Sequence, residues 1–144
     1  MTFAVADLRS YLLGRWRLER VLRNRGAAVE GTLMGFVLFT ADDGGLRQSE
    51  QGTMMWPTHS GPASREYLLR QTTEPCALDV LFTDGRPFHR MDLSTGSWSS
   101  DHWCAPDDYR VRYDARSRDR LDFEWDVRGP AKNLLLQTSL FREP

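Results

Sequence analysis

From Gly14 onward, apolar and polar residues alternate in short runs instead of recurring every three to four positions. A period of two puts successive side chains on opposite faces of a strand. Trp16, Leu18 and Leu22 alternate with Arg17, Glu19 and Arg23, and Asn24-Arg25-Gly26 follows as a turn. Further strands are predicted over 31–40, 46–55, 65–71, 78–83, 88–93, 98–104, 109–114, 121–127 and 133–142. Asp42-Asp43-Gly44-Gly45, Pro57 with Gly61-Pro62, Glu74-Pro75, Asp84-Gly85 and Ser94-Thr95-Gly96-Ser97 punctuate them. Asp84-Gly85 is the strongest hairpin signal, because both positions of a type I′ turn need positive φ. Only residues 6–13 carry a helical period: Leu8, Tyr11 and Leu12 share one face, Asp7 can cap the start and Gly14 can end the helix.

Nine or ten short strands with tight connections predict an all-β fold. An antiparallel sheet of that size tends to close on itself, because closure removes exposed edges. The expected architecture is therefore one closed antiparallel barrel of about 8–10 strands with a short N-terminal helix, in a single domain spanning residues 1–144. A barrel of this size encloses side chains and room for one small ligand.

Composition narrows the function classes. The net charge is −1 and no basic stretch is free of acids, so neither a nucleic-acid nor an anionic-membrane surface is expected. No apolar run reaches membrane-spanning length, and Asp7 and Arg9 fall where a signal peptide needs an apolar core. A cytoplasmic monomer or homodimer is expected. Cys76 and Cys104 are expected to be free thiols and not bonded to each other.

Gly14-Arg15-Trp16, entering the first strand after a short helix, resembles the Gly-x-Trp signature of lipocalins and other calycins. That resemblance implies that Trp16 plugs one barrel end under a basic residue of the last strand, for which Arg142 is the candidate. A wider set resembles the bacterial and eukaryotic family catalogued as domain of unknown function 6314, over nearly the whole chain. It comprises Leu13-Gly14-Arg15-Trp16 with Arg20, Glu50-Gln51-Gly52, Arg65-Glu66-Tyr67, and 82–89. It continues with His102-Trp103-Cys104, Asp107-Asp108-Tyr109 and 125–132. The resemblance implies a calycin-like barrel and supplies no activity.

Period-two sorting then proposes an interior. His89, Met91 and Leu93 share one face, with Arg86, Phe88, Arg90 and Asp92 on the other. Trp98, Ser100, His102 and Cys104 share a face, as do Tyr109, Val111 and Tyr113, and Leu121, Phe123, Trp125 and Val127. Counting outward from the 94–97 turn places His89 opposite His102 in an antiparallel hairpin. His89, His102 and Tyr109 are the candidate catalytic residues: two imidazoles able to move protons and a phenol able to donate. Arg20, Glu50, Trp98, Cys104, Tyr113, Phe123 and Trp125 are the candidate ligand-binding residues, as apolar walls with a few polar groups make up most ligand sites. An inward Arg20 is costly unless paired, and Glu50 is its candidate partner.

No cofactor is expected. His89, His102, Cys104 and Asp107 are metal-competent types, but no spacing matches a ligand pattern, so no metal is assigned. The leading functional expectation is a cofactor-independent acid–base enzyme, an isomerase, cyclase or lyase, acting on a small apolar, aromatic or polyketide-like substrate. The alternatives are a non-catalytic carrier or sensor of a small ligand, and a partner-binding module whose barrel is filled.

Overall fold

The computed structural model describes residues 2–144. One helix, α1 (Leu8–Leu12), precedes ten strands. These are β1 (Gly14–Asn24), β2 (Val29–Asp42), β3 (Gly45–Trp56), β4 (His59–Gln71) and β5 (Ala77–Leu81). They continue as β6 (Pro87–Asp92), β7 (Ser97–Cys104), β8 (Asp107–Ser117), β9 (Arg120–Arg128) and β10 (Asn133–Arg142). All pair antiparallel in the order β6-β5-β4-β3-β2-β1-β10-β9-β8-β7, which rolls into a nearly closed barrel.

No backbone ladder joins β6 to β7, the two ends of that order. Their seam is closed by other means. The Trp98 indole N–H donates to the Arg90 carbonyl at 2.6 Å. Below it, the N-terminal segment straddles the gap, with the Phe3 N–H on the Ala115 carbonyl and the Val5 N–H on the Leu93 carbonyl. The expected closed barrel is therefore closed by ladders everywhere except here.

The closed end holds most of the apolar core. Asp7 caps α1 by accepting from the Ser10 N–H at 3.0 Å, and the helix buries Leu8, Tyr11 and Leu12 as its periodicity predicts. Gly14 turns the chain into β1 at φ +122°, a backbone region open essentially to glycine. Two residues later Trp16 is fully buried, its indole N–H donating to the Leu12 carbonyl at 2.8 Å. The Arg142 guanidinium lies 4.2 Å from the Trp16 ring centroid, and its Nη2 donates to the Tyr11 and Arg118 carbonyls. Leu18, Val37, Leu46, Leu69, Leu121 and Leu140 complete this dry layer.

Two local expectations are corrected. The type I′ pair is Asp43-Gly44, with φ +45° and +81°, between β2 and β3. Of Asp84-Gly85 only Gly85 has positive φ; its N–H donates to the Phe82 carbonyl, giving a three-residue hairpin loop ended by a left-handed glycine. Gly61-Pro62 does not interrupt the sheet: β4 runs through it from His59. Along 59–67 strand β4 is bonded only to β3, since β5 joins it from Leu68 onward, so a proline without an N–H is tolerated there.

Candidate functional site

Side chains paired across ladders share a face. Following the registers from Trp16 around the sheet puts Arg20, Glu50, Arg65, Tyr67, His89, Tyr113, Phe123 and Thr138 on the inner surface of the barrel's middle. Most of these project into a layer between the dry core and the mouth formed by the 57–58, 82–86, 105–106 and 129–132 turns.

Arg20 and Glu50 form a two-pronged pair, Nη1–Oε1 3.1 Å and Nη2–Oε2 2.9 Å, with both side chains buried. Arg20 Nε donates to Thr138 Oγ1 at 2.7 Å, and Gln48 lies 3.5 Å from Glu50 Oε2. Matched geometry with added hydrogen bonds is what lets such a pair exist out of water. Beside it is a cavity of about 30 Å³, lined by Arg20, Glu50, Tyr67, His89, Tyr113 and Trp125 among others. That is room for about one water.

His89 is buried, and burial drives its pKa down to about 4, so the ring is neutral at pH 7. Nδ1 lies 3.0 Å from the Arg90 carbonyl. A carbonyl only accepts, which assigns the proton to Nδ1 and leaves Nε2 as an acceptor. Tyr113 stacks on His89 at 5.9 Å between centroids, and burial holds its phenol well above the ordinary value. Neither the Tyr113 hydroxyl nor His89 Nε2 has a hydrogen-bond partner among the described residues.

The structure brings Arg20, Glu50, His89, Tyr113, Phe123 and Trp125 to one cavity. It leaves four candidates outside that lining. Trp98 holds the seam. His102 pairs with Tyr109 across β7 and β8 at the mouth, their rings 6.5 Å apart. The Tyr109 hydroxyl accepts from Lys132 Nζ at 3.1 Å, and Lys132 also pairs with Asp107 at 3.3 Å. Cys104 is exposed at the end of β7, and both cysteines are free thiols.

The expected ladder opposition of His89 and His102 is corrected: β6 and β7 do not pair, and the partners of the two histidines are Val80 and Tyr109. Phe88 makes edge-on contact with both imidazoles, at 5.0 Å and 5.1 Å. Phe88 itself was expected outside. The β5–β6 register shifts between Val80 and Leu81, so that Leu81 faces Pro87 and Phe88 is the unpaired residue of a bulge. The bulge turns the Phe88 ring inward, where it stacks on Trp125 (5.0 Å, 6°) and Phe82 (4.6 Å, 22°). Pro87 was the available signal, because a proline within a strand often marks a bulge. Arg65 and Tyr67 were likewise missed, although they share a period with Leu69; the adjacent Leu68 made the choice of face ambiguous.

A larger concavity of about 840 Å³ lies on the outer surface, lined largely by outward residues of β1, β2 and β7–β10 such as Glu19, Met34, Arg112, Asp122 and Glu124. Most of its acids and bases are solvated neighbours; the exception is Asp114, whose Oδ1 is buried without a hydrogen-bond partner among the described residues.

The model of a family described as of unknown function (DUF6314) matches residues 12–142. No curated protein matches the sequence. Among solved structures, the S-type phycobiliprotein lyase CPES from Guillardia theta is 12% identical, with 99% of this chain and 94% of that chain covered and a TM-score of 0.64. EF1p2_mFAP2b bound to DFHBI is 14% identical, with 97% and 100% covered and a TM-score of 0.54. A de novo designed fluorescence-activating β-barrel is 10% identical, with 96% and 100% covered and a TM-score of 0.51. At these identities the likeness is one of fold.

Proposed function

The chain belongs to the DUF6314 family of unknown function, and from that premise we propose that it binds a small molecule in the open half of its barrel. One observation carries this reading: two unpartnered polar groups, the Tyr113 hydroxyl and His89 Nε2, sit with a paired Arg20–Glu50 beside one cavity walled by aromatic rings. Both groups have unused hydrogen-bonding capacity facing the cavity, and a neutral hydrogen bond to either is worth about 1 kcal/mol. A ligand with a donor for His89 Nε2 and a group that pairs with the Tyr113 hydroxyl uses both. The binding of DFHBI by a barrel of similar fold adds support.

Proton-transfer catalysis, as an isomerase, cyclase or lyase, is the second reading. It is favoured by the fixed, unprotonated Nε2 beside the Tyr113 ring. A general base works best with its pKa near the working pH. At about 4, His89 is better suited to accept a hydrogen bond than to abstract a proton. Binding is therefore the reading the site supports better.

The test is ¹⁵N-resolved NMR of the indole and imidazole groups during titration with indole, phenol and benzoate. We expect the Trp125 and His89 signals to move with at least one probe, and Tyr113→Phe to weaken that response about threefold to tenfold, the loss of one neutral hydrogen bond. Signals from both residues that stay still with every probe would remove the proposal.

A further inference from the structure

We infer that the ligand is a planar aromatic acid, whose ring takes the place of Phe88 against Trp125 and whose carboxylate pairs with Arg65. This rests on the proposed small-molecule site and names the class of molecule it takes.

The charge argument starts from the inward-facing cations. Arg20 is matched by Glu50 and Lys132 by Asp107. Arg65 is opposite Glu50 in the β3–β4 register, but the Glu50 carboxylate is occupied by Arg20. Among the described residues, Arg65 has no carboxylate within ion-pair distance. Its one side-chain hydrogen bond runs from Nη1 to the Tyr67 hydroxyl at 3.2 Å. A guanidinium offers five N–H donors in a fixed fork that fits a carboxylate. Arg65, an exposed residue that also lines the cavity, thus brings a positive charge without a carboxylate partner, and donors without protein partners, to the edge of the site.

The shape argument starts from the volume. About 30 Å³ admits no ring, so an aromatic ligand enters only if a side chain leaves. Phe88 is placed to leave. It is the extra residue of a bulge, on a strand with no ladder to β7. Its ring lies nearly parallel to Trp125 and contacts other rings, so a ligand ring in the same slot regains the stacking that the exit of Phe88 gives up. Tyr67 links the two halves of the site: its hydroxyl meets Arg65, and its ring lies 5.8 Å from that of Phe88. Slot and guanidinium are thus about one side chain apart, which suits a carboxylate borne directly on the ring system.

The experiment uses 2-naphthoate and its neutral isostere 2-naphthamide, titrated by calorimetry into the full chain and into Phe88→Ala, Arg65→Gln and Arg65→Lys. Circular dichroism confirms that each variant is folded. Phe88→Ala is expected to bind 2-naphthoate at least about fivefold tighter, because the competing ring is gone. Arg65→Gln is expected to weaken 2-naphthoate about tenfold or more and to leave 2-naphthamide unchanged, with Arg65→Lys in between. Equal affinity of both probes, or equal effects of Arg65→Gln on both, would overturn the acid and leave the binding site standing. An affinity not raised by Phe88→Ala would overturn the displacement. Absence of binding by either probe to both the wild type and Phe88→Ala would overturn the inference, and with still NMR signals the site as well.

Discussion

At His89 burial fixes the sign of a pH effect. An imidazole whose pKa falls from 6.5 to about 4 on folding holds fewer protons in the native state than in the unfolded chain. Its contribution to stability is therefore complete above pH 6.5. It is lost progressively as the pH falls through that value towards 4, up to about 3 kcal/mol in all. Urea unfolding of the wild type and His89→Gln between pH 7 and 4 checks this: the acid-side loss should be smaller in the variant by about that amount. Parallel profiles would show that the ring is not desolvated. The same burial that makes His89 a poor base also makes its free Nε2 an acceptor worth satisfying.

The elements that matter most are the two edge strands, each laddered on one side only. Strands β6 and β7 meet without a ladder, and Trp98 spans them with one indole hydrogen bond to Arg90. That carbonyl also receives His89 Nδ1, so seam and site share an acceptor. Trp98→Phe keeps an aromatic ring and removes the donor. It should lower stability by about 1 kcal/mol, read as a shift in the urea midpoint with an unchanged slope. No shift would mean that the N-terminal crossing at Phe3 and Val5 suffices to hold the seam. The bulge at Phe88 belongs to the same edge, because a strand with one partner has freedom to take an extra residue that a strand bonded on both sides lacks.

Across the whole molecule the barrel divides along its axis. The closed end is dry: Trp16 lies under Arg142, with fully buried leucines on most strands. The open half carries a buried ion pair, a neutral imidazole and the exposed Arg65. Stability and recognition should therefore separate by position. Trp16→Ala is expected to cost about 3–5 kcal/mol, as for other large truncations in a core. Arg65→Gln at the mouth should stay within about 0.5 kcal/mol of the wild type. Thermal unfolding of the two variants side by side checks this, and similar losses in both would deny the division.

The alternation of apolar and polar residues was enough to determine strands, turns and most inner faces, because the period of two is a local property of extended backbone. It located the faces of Trp16, Leu18, Tyr113, Phe123 and Trp125, and it made Glu50 the partner of Arg20. It failed where a face depends on a neighbour. Phe88 points inward because a bulge against β5 breaks the period. His89 and His102 do not oppose each other because β6 and β7 pair with other strands. Tyr109 is tied to Lys132 because the 129–132 turn folds back over the mouth. Which residues share a cavity, and which charge among them is unmatched, depends on distances between strands far apart in sequence. Only the closed sheet sets those distances.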